Sequence, residues 1–184
     1  MTTTLAESIY TDRVAIDDLP DRYRPVLNMV EILIGVVPYC DQYLEIWQPG
    51  FRTYNLMVPN FLNLPNCLVG LGAPKSAIGL AMYGSSRAAS CAYCSAHCCS
   101  FALRRGANET AVTGESRTAA EDAVFTVAEA LSSDPHYYKP SMGEELGEHY
   151  SAEDVEWIVM GGRHDGLSQQ IHGRFRRRPG TGRR

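Results

Sequence analysis

An all-α fold is what this sequence predicts, and three observations carry the prediction. Apolar residues recur at three- and four-residue spacing along almost every ordered stretch, strand-like alternation is missing, and the breaks between stretches are short, as in a helical bundle. The composition permits such a fold, since 45% of the 184 residues are apolar, enough for one core in one domain. The pattern divides the chain into an N-terminal arm over residues 1–18, a helical domain over 19–161 and a basic tail over 162–184.

The elements follow in order. Asp21 suits the N-cap of a first helix reaching Val36, with Val26, Met29, Val30, Leu33, Ile34 and Val37 along one side and Pro38 at its end. A second helical stretch, Asp41 to Trp47, is closed by Pro49 and Gly50. Phe51 to Leu62 is apolar and aromatic but broken by Pro59, which leaves room for short helices only. Pro74 fits the first position of a helix running to about Tyr83, where Gly84, Ser85 and Ser86 are expected to interrupt it. A cysteine-rich helix comes next, with Ser90 as its N-cap, Arg104 and Arg105 against the negative end of its dipole, and Gly106 as its stop. Ser116 or Thr118 opens a further helix carrying Ala123, Val124, Val127 and Leu131, which Asp134 and Pro135 end. Ser151, followed by acids at 153 and 154, caps a last helix with Val155, Ile158 and Val159, and the helical pattern stops after Met160.

Charge narrows the choice of partners. Residues 163–184 hold seven arginines and a single acid, Asp165, so that the rest of the chain keeps ten basic and twenty acidic side chains. An acidic folded part argues against nucleic acid as its partner. The N-terminus shows no basic segment followed by an apolar one, so no secretory signal is expected. The longest apolar run, Ile32 to Tyr39, is broken by Gly35 and Pro38 and is far short of the roughly 20 residues of a membrane helix. A cytoplasmic location without membrane attachment is the expectation.

Six cysteines stand at positions 40, 67, 91, 94, 98 and 99, four of them within nine residues. Such crowding in a chain expected to be cytosolic points to reactive thiols or metal binding rather than to structural disulfides. Metal is the weaker choice, because one helix cannot wrap four tetrahedral ligands around an ion and no second CxxC is present. Cys40 and Cys67 read as small core residues. Cys91 and Cys94 are three apart at a helix start. On a regular helix such Cβ atoms lie about 5–6 Å apart, whereas a disulfide wants roughly 3.5–4.5 Å. The pair therefore closes most easily in a first turn, where the positive helix end also stabilises a thiolate. At 100° per residue Cys94, His97 and Cys98 fall on the side of Cys91, and Cys99 points elsewhere. His97 is placed to take a thiol proton or, as an imidazolium, to hold a thiolate. The plain alternative is that the pair consists of two small buried side chains.

The run CAYCSAHCCSFALRRGA resembles the signature helix of AhpD-like alkylhydroperoxidases, within the carboxymuconolactone decarboxylase group, in which a CxYC pair precedes Ala-His and a small, basic helix end. The likeness is specific over residues 87–107 and weaker over Leu19 to Gly161. It implies an AhpD-like helical bundle, cofactor-free thiol chemistry and assembly into homo-oligomers such as trimers. It also implies a peroxidase or disulfide reductase in which Cys94 attacks a hydroperoxide, Cys91 resolves the sulfenic acid, and a lipoyl- or thioredoxin-type dithiol protein reduces the pair. The candidate catalytic set is Cys91, Cys94, His97 and Cys98, with no metal.

Two departures qualify that reading. The alkylhydroperoxidase relay histidine stands four residues after the second cysteine, where this chain has Cys98, with His97 one residue early. The usual glutamate, about twelve residues before the first cysteine, is replaced by Gly79, and no acid lies between Pro74 and Glu109; Glu31, Glu121 or Glu129 is left to supply a carboxylate through the fold. Two other functions remain open: an inactive scaffold or binding protein of the same fold, and a decarboxylase- or isomerase-like enzyme acting on a ring-derived acid.

The tail carries a further expectation. His164 to Phe175 reads HDGLSQQIHGRF, and codons available for it, read one nucleotide later, encode MMAYLNKFMDA, an amphipathic continuation of the helix. This points to a frameshift in the gene or its sequence rather than to a basic nucleic-acid-binding tail.

Overall fold

In the computed structural model, the residues described are 15–38, 41, 49, 53, 57, 74–133 and 136–174, with side chains given up to Arg163 except at 33 and 34. Among these residues there are seven α-helices and no strand, so the all-α expectation holds. After two short 3-10 turns, Ile16–Asp18 and Asp21–Tyr23, come α1 (Arg24–Ile34), α2 (Lys75–Ala88), α3 (Ala92–Arg104), α4 (Glu109–Thr113), α5 (Ala119–Ser132), α6 (Pro140–Gly147) and α7 (Ala152–Arg174). The expected helices over 41–47 and 51–62, Cys40, Cys67 and residues 175–184 lie outside the described residues, apart from isolated helical positions at Asp41, Thr53 and Met57.

Helix α2 is the centre of the bundle and packs against α3, α5 and α7. Its sequence explains this, because it is apolar or small on most of its circumference, with Ile78, Leu80, Ala81, Gly84 and Ser85 all buried. Burying each of the large side chains contributes roughly 1.5–3 kcal/mol, and the small ones let neighbours come close. At Gly79 a Cβ would sit 2.7 Å from the Cα of Ala102, so α2 and α3 are nearly in backbone contact there. Phe101, Val124, Phe125, Val127, Leu146 and Ile158 complete the core around α2. A second cluster of Leu19, Tyr23 and Leu27 seats α1, which lies against α3.

Several sequence expectations need correction. Asp21 does not cap α1; it opens a 3-10 turn, and the α-helix begins only at Arg24, with Pro25 in its first turn. That helix ends at Gly35 (φ 87°), ahead of Val36, because the left-handed residue donates its N–H to the Glu31 carbonyl and closes the turn. Gly84, Ser85 and Ser86 do not interrupt α2. They are buried in its last turns, where a Cβ on Gly84 would meet Phe125 and Ala128 and the Ser85 hydroxyl faces the Ala128 carbonyl, so tertiary packing overrides local propensity. Helices α4 and α6 have no counterpart among the expected elements.

Thr118, rather than Ser116, caps α5 through a capping box with Glu121, and the helix ends at Ser132. Ser151 caps α7 as expected, its hydroxyl accepting the Asp154 N–H at 3.2 Å. Helix α7, however, runs past Met160 to Arg174. Gly161 and Gly162 allow this: a Cβ at 161 would lie 2.8 Å from Ile78 Cγ2, and one at 162 would lie 3.1 Å from Ser85 Oγ. They are contact residues of the α2–α7 interface rather than a helix stop.

Candidate active site

The dithiol sits where α2 turns into α3, and the turn has a definable geometry. At the end of α2 the Ser90 N–H donates to the Arg87 carbonyl (2.9 Å) and the Cys91 N–H donates to the Ser86 carbonyl (3.1 Å). This pair of bonds is a Schellman closure. Its left-handed position is held by Ser90 at φ 55°, the one described non-glycine residue with positive φ. The equivalent closure at the end of α3, with Gly106 N–H to Leu103 and Ala107 N–H to Ala102, uses glycine at φ 89°. Ser90 therefore accepts roughly 1–2 kcal/mol of backbone strain that glycine would avoid.

The expected N-cap at Ser90 is thereby corrected. Ser90 is taken up by the end of α2, and Cys91 itself, extended at φ −92° and ψ 93°, is the N-cap of α3. Its sulfur accepts the Cys94 N–H at 3.2 Å, the bond a serine oxygen makes in an ordinary cap. Cys91 and Cys94 are joined as a disulfide with a Cα–Cα separation of 5.3 Å, inside the usual range. Because Cys91 lies just outside the regular helix, the pair escapes the spacing that two residues within it would impose. When the bond is reduced, the same N–H and the positive helix end stabilise a thiolate on Cys91.

The two sulfurs differ in access. Cys91 is partly exposed, while Cys94 is only 5% exposed. Cys98, one turn below Cys94, is buried, and its sulfur accepts the Ser86 hydroxyl at 3.3 Å. Ser86 thus holds both ends of the site, with its carbonyl on the Cys91 amide and its hydroxyl on Cys98. His97 is half-buried, and its ring meets the edge of Tyr93 at 4.5 Å between centroids. Burial holds the His97 imidazole below its ordinary pKa of 6.5, which keeps it neutral and able to accept a thiol proton at neutral pH. The four expected residues therefore share the N-cap and first turns of α3, and the sequence reading gave Ser86 and the strained Ser90 other roles, a helix break and an N-cap.

The carboxylates fare differently. Glu31 is exposed, and Glu121 is engaged in the capping box with the Thr118 N–H at 2.8 Å. Gly79 cannot be replaced by an acid at all, since the α3 backbone fills the space of its side chain. The buried acid of the described structure is Asp41, 1% exposed, with both oxygens lacking a hydrogen-bond partner; burial raises its pKa to about 7. Sequence reasoning placed Asp41 at the start of a helical stretch, where nothing marks it as buried.

Among the described residues no group of His, Cys, Asp and Glu is arranged to hold a metal ion, and no helix is long and apolar enough to cross a membrane. A crevice between α2, α5 and α7, lined by Ala81, Ser85, Val127, Leu131 and Ile158, contains none of the dithiol residues.

No protein-family model and no curated protein sequence matches the chain. Solved structures do. The debrominase Bmp8, as a cysteine-to-alanine variant in complex with 2,3,4-tribromopyrrole, superposes with a TM-score of 0.76 at 18% identity, over 97% of this chain and 91% of that one. Its apo form gives 0.75 at 19% identity, over 92% and 91%. At this identity the likeness speaks for the fold alone: the chain has the helical architecture of the Bmp8 structures.

Proposed function

We propose that this protein is a dithiol-dependent reductase that reduces hydroperoxides with Cys94 and Cys91. The observation that carries the reading is the Cys91–Cys94 pair, closed across the N-cap of α3 with His97 one turn beyond Cys94. In the reaction, the Cys94 thiolate attacks the outer peroxide oxygen and becomes a sulfenic acid, and the departing alkoxide takes a proton, with His97 as the relay. The Cys91 thiol then attacks the Cys94 sulfur, expelling water and forming the disulfide. Two thiols lose two electrons, and the peroxide becomes an alcohol and water. A dithiol protein returns the electrons. The buried setting of Cys94 suits a small substrate.

One observation favours a second reading on the same residues. The two solved structures compared above are of a debrominase, one of them a cysteine variant holding a brominated pyrrole. A thiolate that attacks peroxide oxygen is equally suited to attack bromine on an electron-rich ring; the ring carbon takes a proton, and the second thiol releases bromide as the disulfide closes. The electron balance is identical.

The test is consumption of an alkyl hydroperoxide, or release of bromide from a bromopyrrole, coupled to a thioredoxin- or lipoyl-type reductant. Cys94→Ser is expected to abolish turnover and Cys91→Ser to stall it after one equivalent. Undiminished turnover in Cys94→Ser overturns the proposal. No turnover of either substrate by the parent protein favours the scaffold alternative, and release of carbon dioxide from a ring-derived acid that persists in both variants favours the decarboxylase alternative.

A further inference from the structure

We infer that the two sulfurs face different reactants: the reducing partner, a small dithiol protein with an acidic rim, attacks Cys91, while the substrate is met by Cys94. The inference rests on the dithiol reading above and assigns to one sulfur the step that regenerates the pair.

Thiol–disulfide exchange requires the incoming thiolate to approach along the extension of the S–S bond behind the sulfur it attacks. Cys91 is partly exposed, and its neighbours along the chain, Ala89, Ser90 and Ala92, are short and exposed. For Cys94, 5% exposed with buried Cys98 one turn below, a thiol carried on another protein has no approach. Electronic preference alone points the other way, because the Cys94 N–H stabilises a departing Cys91 thiolate and so favours attack on Cys94. Access decides the first step, since a better leaving group does not help a sulfur that cannot be reached.

The electronic term then serves the second step. After the partner thiolate attacks Cys91, the bond to Cys94 breaks, Cys94 leaves as a thiolate and is protonated, and partner and Cys91 share a mixed disulfide. The second thiol of the partner attacks the partner's own sulfur and expels Cys91, whose thiolate the Cys94 N–H receives. The partner dithiol has lost two electrons and become a disulfide, and Cys91 and Cys94 have gained them. Arg87, exposed on the last turn of α2 four residues before Cys91, supplies a positive charge that an acidic rim on the partner complements.

The experiment uses the unaltered, oxidised protein and a thioredoxin-type reductant whose second cysteine is replaced by serine, so that the mixed disulfide cannot resolve. Fragmentation mass spectrometry of the peptide between Arg87 and Arg104 locates the bond. The expected result is linkage at Cys91 in excess of Cys94 by about tenfold or more. Linkage at Cys94, at both equally, or at neither overturns the assignment. The readout needs no peroxide, so it is separate from the failure of the function: trapping at Cys91 without turnover of hydroperoxide or bromopyrrole refutes the activity and leaves the division of the sulfurs intact.

Discussion

Replacing Gly79 with alanine tests the close approach that excludes an acid from this position. The added Cβ would stand 2.7 Å from the Cα of Ala102 and 3.1 Å from its Cβ, and neither atom belongs to a side chain that can swing away. Carbon atoms prefer roughly 3.5–4.0 Å, so α2 and α3 must separate by about 1 Å at the site. Overpacking of this kind costs about 1–3 kcal/mol, while alanine in a helix interior gains back about 1 kcal/mol over glycine. The net expectation is a loss of up to about 2 kcal/mol, against a domain stability of roughly 5–15 kcal/mol. Urea denaturation reads this as a lower midpoint at unchanged slope. Gly147→Ala, at the exposed end of α6 with nothing within 4 Å of the new Cβ, serves as the control and is expected to hold or gain stability. Gly79→Glu adds a buried carboxylate to the same collision and loses more. A Gly79→Ala protein more stable than the parent by the roughly 1 kcal/mol that alanine gains in a helix interior would refute the reasoning.

Other outcomes follow from the same geometry. Asp41→Asn removes a buried carboxyl whose pKa rises from 3.8 to about 7; the folded state holds its proton longer than the unfolded chain, so stability is lost as pH rises from about 4 through 7. The variant is expected to match the parent near pH 4 and to exceed it above pH 7 by up to about 4 kcal/mol in denaturant titrations. His97 shows the opposite sense: its lowered pKa makes the unfolded chain the stronger proton acceptor, so its share of stability is complete above about 6.5 and falls as pH drops, and His97→Gln flattens that acid limb. Ser90→Gly relieves about 1–2 kcal/mol of left-handed strain against about 0.5–1 kcal/mol of glycine entropy, a net gain of up to about 1.5 kcal/mol in thermal unfolding; a loss would show that the Ser90 side chain contributes a compensating contact. Thr118→Ala removes the α5 cap and is expected to cost about 0.5–2 kcal/mol. Resequencing the gene across His164 to Phe175 tests the frameshift, and an unambiguous in-frame read rejects it.

What the sequence determined by itself is local: helical periodicity, the cap at Ser151, the stop at Gly106, and the clustering of Cys91, Cys94, His97 and Cys98 along one short run of chain, all of which follow from residues a few positions apart. The tertiary structure decided the rest, because long-range contact overrides those preferences. Gly84 to Ser86 and Gly161 to Gly162 look like helix breaks, yet they remain helical because α2, α5 and α7 need small residues to approach each other. Ser90 looks like a cap, but the Schellman closure of α2 claims it and passes the cap to Cys91. Only the fold separates an accessible sulfur from a buried one, fills the place of the missing acid at Gly79 with backbone, and leaves Asp41 as a buried carboxyl, since burial is a property of what packs around a residue and not of its neighbours in the chain.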